Sequence, residues 1–303
     1  MPADREAVPF TAESALEAII EVCRTAGVNP GGAVLLGPVA DNAVFRIPAA
    51  RLVVRVASSV GALPRVEREL RVARWLASQG FSAVRPAEAV EQPVVDRERV
   101  ITFWEEIEDP RQATPAEMGA LLRRLHALPA PPAGLVEPLE PFVRQRSHIN
   151  SATGIDAEDR DFLRDVLVRL QAAYADLEFA LPTAVIHGDP HRKNIVVGGD
   201  GIPVLLDLER FSLGPPEWDL TVPAVYRNVG WYDDAEYAAF TDAYGLDVTG
   251  WEGFTTLAAI RELRMTAWLA ARTGREPRLI GEAQRRIASL RDPTAPRRWT
   301  PGT

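Results

Sequence analysis

Residues 185–211 read VIHGDPHRKNIVVGGDGIPVLLDLERF, and the alternation in this stretch between apolar runs and polar turns decides the fold. Ala184, Val185 and Ile186 form a short apolar run that predicts a strand, and HGDPHRKN at 187–194 is a loop. Two more apolar runs, at 195–197 and 204–206, flank GGDG at 198–201, the composition of a hairpin turn. The first strand then delivers Asp189 at its end, and the hairpin returns Asp207 beside Asn194. A carboxylate at the end of an apolar strand is costly unless something partners it, so these polar positions call for a chemical explanation.

His187, Asp189, Asn194 and Asp207 follow the pattern H-x-D-x-x-x-x-N, hairpin, Asp. That spacing is similar to a kinase catalytic loop. Phosphoryl transfer needs a carboxylate near the attacking hydroxyl and oxygen ligands for hard magnesium ions. In this layout Asp189 accepts the hydroxyl proton, Asn194 and Asp207 are the metal ligands, and His187 braces the loop.

Working outward, Thr11 is a candidate N-cap for a helix with Leu16, Ile19, Ile20 and Cys23 on one face, stopped at Gly27. Three runs over 33–56 predict antiparallel strands. Pro64 opens a helix carrying Val66, Leu70, Ala73 and Leu76 and ending at Gly80. Runs at 93–95 and 100–103 predict a second hairpin. Beyond 109 the periodicity turns helical, at 115–125 and 156–174, joined by a Pro-rich link at 129–141, and helices fill most of the chain after 214. The expected class is α+β: an N-terminal lobe at 1–107 built on a small antiparallel sheet with one inserted helix, and a larger, mainly helical lobe at 108–303. The Pro- and Arg-rich tail from Asp292 is expected to fray.

A chain of 303 residues with 47% hydrophobic and 25% charged residues is that of a folded globular protein. Its formal charge of -8 argues against nucleic-acid binding, which needs a basic face. One cysteine, Cys23, excludes an internal disulfide and reads as a small buried hydrophobe. The first ten residues lack a basic start followed by an apolar stretch, and no run is long enough to span a bilayer, so a cytoplasmic protein is expected. No feature of the sequence specifies an oligomeric state.

HGDPHRKN at 187–194, LLDLE at 205–209 and GPPEWDL at 214–220 together resemble the aminoglycoside phosphotransferase and choline kinase superfamily, over nearly the whole chain. The resemblance implies a protein-kinase-like two-lobed fold, ATP or GTP as donor, and magnesium. It also implies a basic residue on the third strand and a glutamate on the inserted helix, positions held here by Arg55 and Glu69. Glu69 shares the apolar stripe of its helix, whereas Glu67 lies on the other face with Arg71 and Arg74. Arg replaces the lysine of protein kinases and offers a planar fork to the phosphates or to Glu69. The turn GPVADNAVF at 37–45 lacks G-x-G-x-x-G. The end of the strand around Phe103, Trp104 and Glu106 falls where the family's hinge meets the nucleotide base.

The rival from another reaction class is a metal-dependent hydrolase, since HGDPH crowds His187, Asp189 and His191 together. The short span from Asp207 to Pro216 and the lack of A-P-E argue against a protein acceptor. The implied partner is a small-molecule hydroxyl acceptor, an aminoglycoside or other natural product, or else a metabolite. The acidic residues Asp233, Asp234, Glu236 and Asp242, with Tyr226, Trp231 and Tyr232, lean toward a cationic one.

Overall fold

The computed structural model describes residues 9–292 and 294–302, so the first eight residues, on which the reading of a leader rested, lie outside it. The chain divides into two units, one drawn from 1–111, 131–136 and 196–209, the other from 112–130, 137–195 and 210–303. Thr11 caps helix α1 (Ala12–Ala26) through a reciprocal capping box with Ser14, and Gly27, at φ 69°, ends it in the left-handed region that glycine adopts without strain. An antiparallel sheet follows: β1 (Val34–Leu35), β2 (Asn42–Ile47) and β3 (Leu52–Ala57), then α2 (Leu63–Ser78), then β4 (Val94–Asp96) and β5 (Arg99–Glu105). The strand order is β1-β2-β3-β5-β4, with α2 inserted between β3 and β5.

Side chains on a strand alternate between faces, and β3 uses both. Leu52, Val54 and Val56 join Ala43, Phe45, Ile47, Ile101 and Phe103 in a core with Ile19 and Cys23 of α1. Arg55 therefore emerges on the opposite face, where its register partner on β5 is Thr102. Each fully buried aliphatic or aromatic side chain in such a core contributes about 1.5–3 kcal/mol, which holds this register, since a one-residue slip would carry the whole set into water.

The chain continues through β6 (Arg111–Gln112), α3 (Pro115–His126), α4 (Gln145–Ser151), α5 (Ala157–Ala175) and β7 (Ala184–Ile186). The hairpin β8 (Ile195–Val197) and β9 (Pro203–Leu205) turns at Gly201, φ 78°. Residues 196–209 belong with the first unit, where Leu205 donates its N–H to Ser82 and accepts from Val84. A division at 107/108 would not capture this return. Then come β10 (Ser212–Gly214), paired antiparallel with β7, and α6 (Glu217–Asn228), α7 (Asp234–Tyr244), α8 (Phe254–Arg272) and α9 (Ile280–Arg291).

In the second unit α3 packs on α7 at Gly119, where an added Cβ would lie 2.4 Å from the Phe240 carbonyl oxygen and 3.2 Å from the Tyr244 nitrogen. Alanine gains about 1 kcal/mol of helix propensity over glycine, but forcing backbone apart costs more. Gly119→Ala should therefore destabilise the protein by about 1–3 kcal/mol, read as a lower urea midpoint. A midpoint at or above wild type would contradict this close approach.

The tail corrects the expectation of fraying. Trp299 is buried and donates its indole N–H to Ser289, while buried Arg286 donates to the Thr300 carbonyl at 2.6 Å. A Pro- and Arg-rich composition reads as loose in sequence, but one aromatic and one buried guanidinium anchor it. Among the described residues, no helix is long and apolar enough to cross a membrane.

Candidate active site

The first unit gathers three of the implicated residues. Glu69 is buried on the inner face of α2 while Glu67 is exposed, as the apolar stripe requires. Its carboxylate pairs with the Arg55 guanidinium across from β3. Burial pushes the Glu69 carboxyl up, and the Arg55 charge opposes that shift. Asp207, placed just after β9, is near enough to add a like-charge push on Glu69, so Arg55, Glu69 and Asp207 form one electrostatic group. Asp207 is exposed at φ 51°, a left-handed conformation unusual for a non-glycine residue. Its carboxylate accepts the Glu209 N–H at 3.4 Å.

At the end of β5 the three hinge candidates differ. Phe103 is a core residue whose N–H donates to Gln92 and whose carbonyl accepts from Gln92 and Ala87, so it has nothing to offer a base. The Glu106 N–H donates to the Arg51 carbonyl, and its carboxylate pairs with Arg46. Trp104 turns its ring toward Arg55, 5.8 Å from guanidinium carbon to centroid. Asn42, in the turn without G-x-G-x-x-G, keeps a buried side-chain oxygen with no partner.

The second unit holds the loop with His187, Asp189 and Asn194. Gly188, at φ 83°, turns the chain directly after β7, and a Cβ there would sit 2.5 Å from the Arg210 carbonyl. Asp219, fully buried in the first turn of α6, clamps this turn: its carboxylate accepts the N–H of His187 at 2.7 Å and of Gly188 at 2.8 Å. His126, at the end of α3, holds the same carboxylate at 3.1 Å and Tyr244 at 2.9 Å. Trp218 donates its indole N–H to the Gly188 carbonyl at 3.1 Å. His187 is itself fully buried, its Nδ1 accepting the Asp189 N–H, so it positions the loop from inside.

Asn194 donates its side-chain amide to the Asp189 carbonyl at 3.1 Å, which ties the two ends of the loop together and leaves its amide oxygen as the remaining polar atom of that side chain. The Asp189 carboxylate is met by Arg261 of α8 at 2.6 Å. Burial alone would push this carboxyl up, but the charges of Arg261, His191, Arg264 and Arg210 outweigh it and hold Asp189 well below the usual carboxylate range. Asp189 is thus ionised. Neither Asp219 nor Arg261 was assigned a role from sequence. WDL at 218–220 carried the only signal for Asp219, and nothing local marks Arg261.

The acidic residues after WDL have local employment. Asp233 caps α7, Asp234 pairs with Arg227, and Glu236 pairs with Arg192. These contacts involve three of the four acidic residues that lean toward a cationic acceptor, and Asp234 stays exposed beside its partner. The two histidines of HGDPH likewise accept backbone N–H groups, and among the described residues no cluster of three His, Cys, Asp or Glu could hold a metal ion. An asparagine amide oxygen and an aspartate carboxylate are each the hard oxygen type that magnesium accepts.

Several solved structures share this fold. Amicoumacin kinase hAmiN, in complex with AMP-PNP, Ca2+ and Ami, matches with a TM-score of 0.72 at 15% identity, covering 95% of this chain and 97% of that one. Choline kinase LicA from Streptococcus pneumoniae matches at 0.64 and 16% identity, covering 90% and 99%. Spectinomycin phosphotransferase APH(9)-Ia, in complex with ADP and spectinomycin, matches at 0.63 and 14% identity, covering 96% of each chain. No curated protein matches the sequence. The family model described as "Phosphotransferase enzyme family" matches residues 34–263. The fold is the protein-kinase-like fold of these kinases, and the chain belongs to the phosphotransferase enzyme family as a small-molecule kinase.

Proposed function

We propose that this protein transfers the γ-phosphoryl group of ATP or GTP to a hydroxyl of a small molecule, a natural product or a metabolite, drawing on a cytoplasmic nucleotide pool. The observation that carries it is the loop at 187–194: its proton acceptor is kept ionised by Arg261, and its backbone is fixed by a buried carboxylate. The acceptor oxygen forms a bond to the γ-phosphorus, the bond from that phosphorus to the bridging oxygen breaks, the nucleoside diphosphate leaves, and the hydroxyl proton passes to Asp189. Asn194 and Asp207 would hold magnesium, which supplies charge neutralisation at the phosphates. In the first unit Arg55, steadied by Glu69, directs its remaining donors to phosphate, and the Trp104 backbone and the Glu106 carbonyl meet the base.

Asp207→Asn tests the metal role. Turnover measured by coupled nucleotide diphosphate release should fall on the order of 100-fold, the scale of losing one electrostatic contact to a transition state. Wild-type turnover in this variant would remove Asp207 from the site.

A further inference from the structure

Helix α8 carries Arg261 and Arg264 one turn apart, on the side of the second unit that holds Asp189. Arg261 is spent: it bonds Asp189 at 2.6 Å and the Tyr226 hydroxyl at 3.3 Å, and its buried Nε has no partner. Arg264 instead lies 4.9 Å from the centroid of Trp218, the residue whose indole holds the Gly188 carbonyl. Arg210 neighbours the same turn, where a Cβ added at Gly188 would lie 2.5 Å from its carbonyl oxygen and 3.0 Å from its Cβ. Arg144 and His148 of the α4 region feel the same charges. Neither Arg264 nor Arg210 has a carboxylate within ion-pair reach among the described residues.

The charges do not balance. Asp189 cancels Arg261 and leaves Arg264, against Trp218, and Arg210, against Gly188, as half-buried cations around the same turn, in a protein whose overall charge is -8. Burial and the Arg261 and Arg210 charges push the Arg264 guanidinium down to about 9, and burial with the neighbouring arginines pushes the His148 imidazole down as well. Desolvated like charges repel and are retained where a ligand of opposite charge completes the group.

We infer that the acceptor is an anionic hydroxyl compound, whose carboxylate or phosphate seats on Arg264 and Arg210 while its hydroxyl meets Asp189. This rests on the kinase reading above. It replaces a cationic acceptor with its opposite and makes Arg264 the residue that determines acceptor charge.

Four probes with one diol scaffold test it: glycerate, glycerol 3-phosphate, glycerol and 3-aminopropane-1,2-diol. Their binding is titrated calorimetrically to the full chain saturated with magnesium and AMP-PNP, so that the nucleotide's own phosphates are already in place. At least one anion should bind about 10-fold or more tighter than glycerol and the amine, as a charge-assisted contact requires, and the better anion tells carboxylate from phosphate. Arg264→Gln and, independently, Arg210→Gln should each erase that preference. Equal affinity across the four, undetectable binding included, or tighter binding of the amine overturns the proposal. So does competition between the anions and AMP-PNP, which would assign the cluster to nucleotide phosphates. Failure of AMP-PNP itself to bind would instead remove the kinase reading, and the anion preference would still be read in its absence.

Discussion

Asp189→Asn is expected to lower kcat by about 10²–10⁴-fold, the contribution of a positioned general base, with little change in the KM for nucleotide. The measurement is coupled nucleotide diphosphate release with whichever hydroxyl acceptor supports the highest wild-type turnover. The expectation follows from the site: the carboxylate at the end of β7 is ionised and tethered to Arg261 at 2.6 Å, whereas an amide of the same shape cannot take the proton. A variant retaining wild-type kcat would show that the proton leaves by another route. A second readout concerns stability. A carboxyl held below its ordinary range stabilises the fold above its unfolded value, about 3.9, and that contribution is lost as pH falls toward the folded value. The stability gap between wild type and Asp189→Asn should therefore narrow below about pH 4, and a gap independent of pH would discount the Arg261 pairing.

Asp219→Ala should produce the largest loss of stability. Removing this buried carboxylate strands the N–H groups of His187 and Gly188 and leaves His126 without its partner at 3.1 Å. Breaking such a buried group costs about 3–5 kcal/mol, and two orphaned backbone donors account for most of it. In a protein this size the thermal midpoint should drop by about 6–15 °C. Asp219→Asn separates packing from hydrogen bonding: it keeps the shape but turns an N–H₂ toward an N–H. It should lose nearly as much stability as alanine, and its kcat should fall further than its nucleotide affinity, because the loop that aims Asp189 is released. An asparagine variant as stable as wild type would mean that the clamp is packing alone.

Much of the first unit and of the loop was legible because each depended on short-range pattern. The stripe of α2 separated Glu69 from Glu67, and burial agrees, with Glu69 inside and Glu67 exposed. Gly27 and Gly201 marked backbone that needs positive φ. Phe103 was misjudged because a strand residue before a hinge looks the same whether its backbone is open or, as here, taken by Gln92. The tail was misjudged because composition cannot register two anchoring side chains such as Trp299 and Arg286.

By itself the sequence determined the order of elements, the capped helices, and the spacing that puts His187, Asp189 and Asn194 on one loop, all of them consequences of periodicity and turn chemistry within about ten residues. Only the tertiary structure decided that Asp219 and His126 clamp that loop, and that Arg261, Arg264 and Arg210 make the surroundings of Asp189 positive in an acidic protein. The physical reason is range: Asp219 and Arg261 stand 32 and 72 positions from the residues they bond, and electrostatics depends on distance in space, which no local pattern encodes.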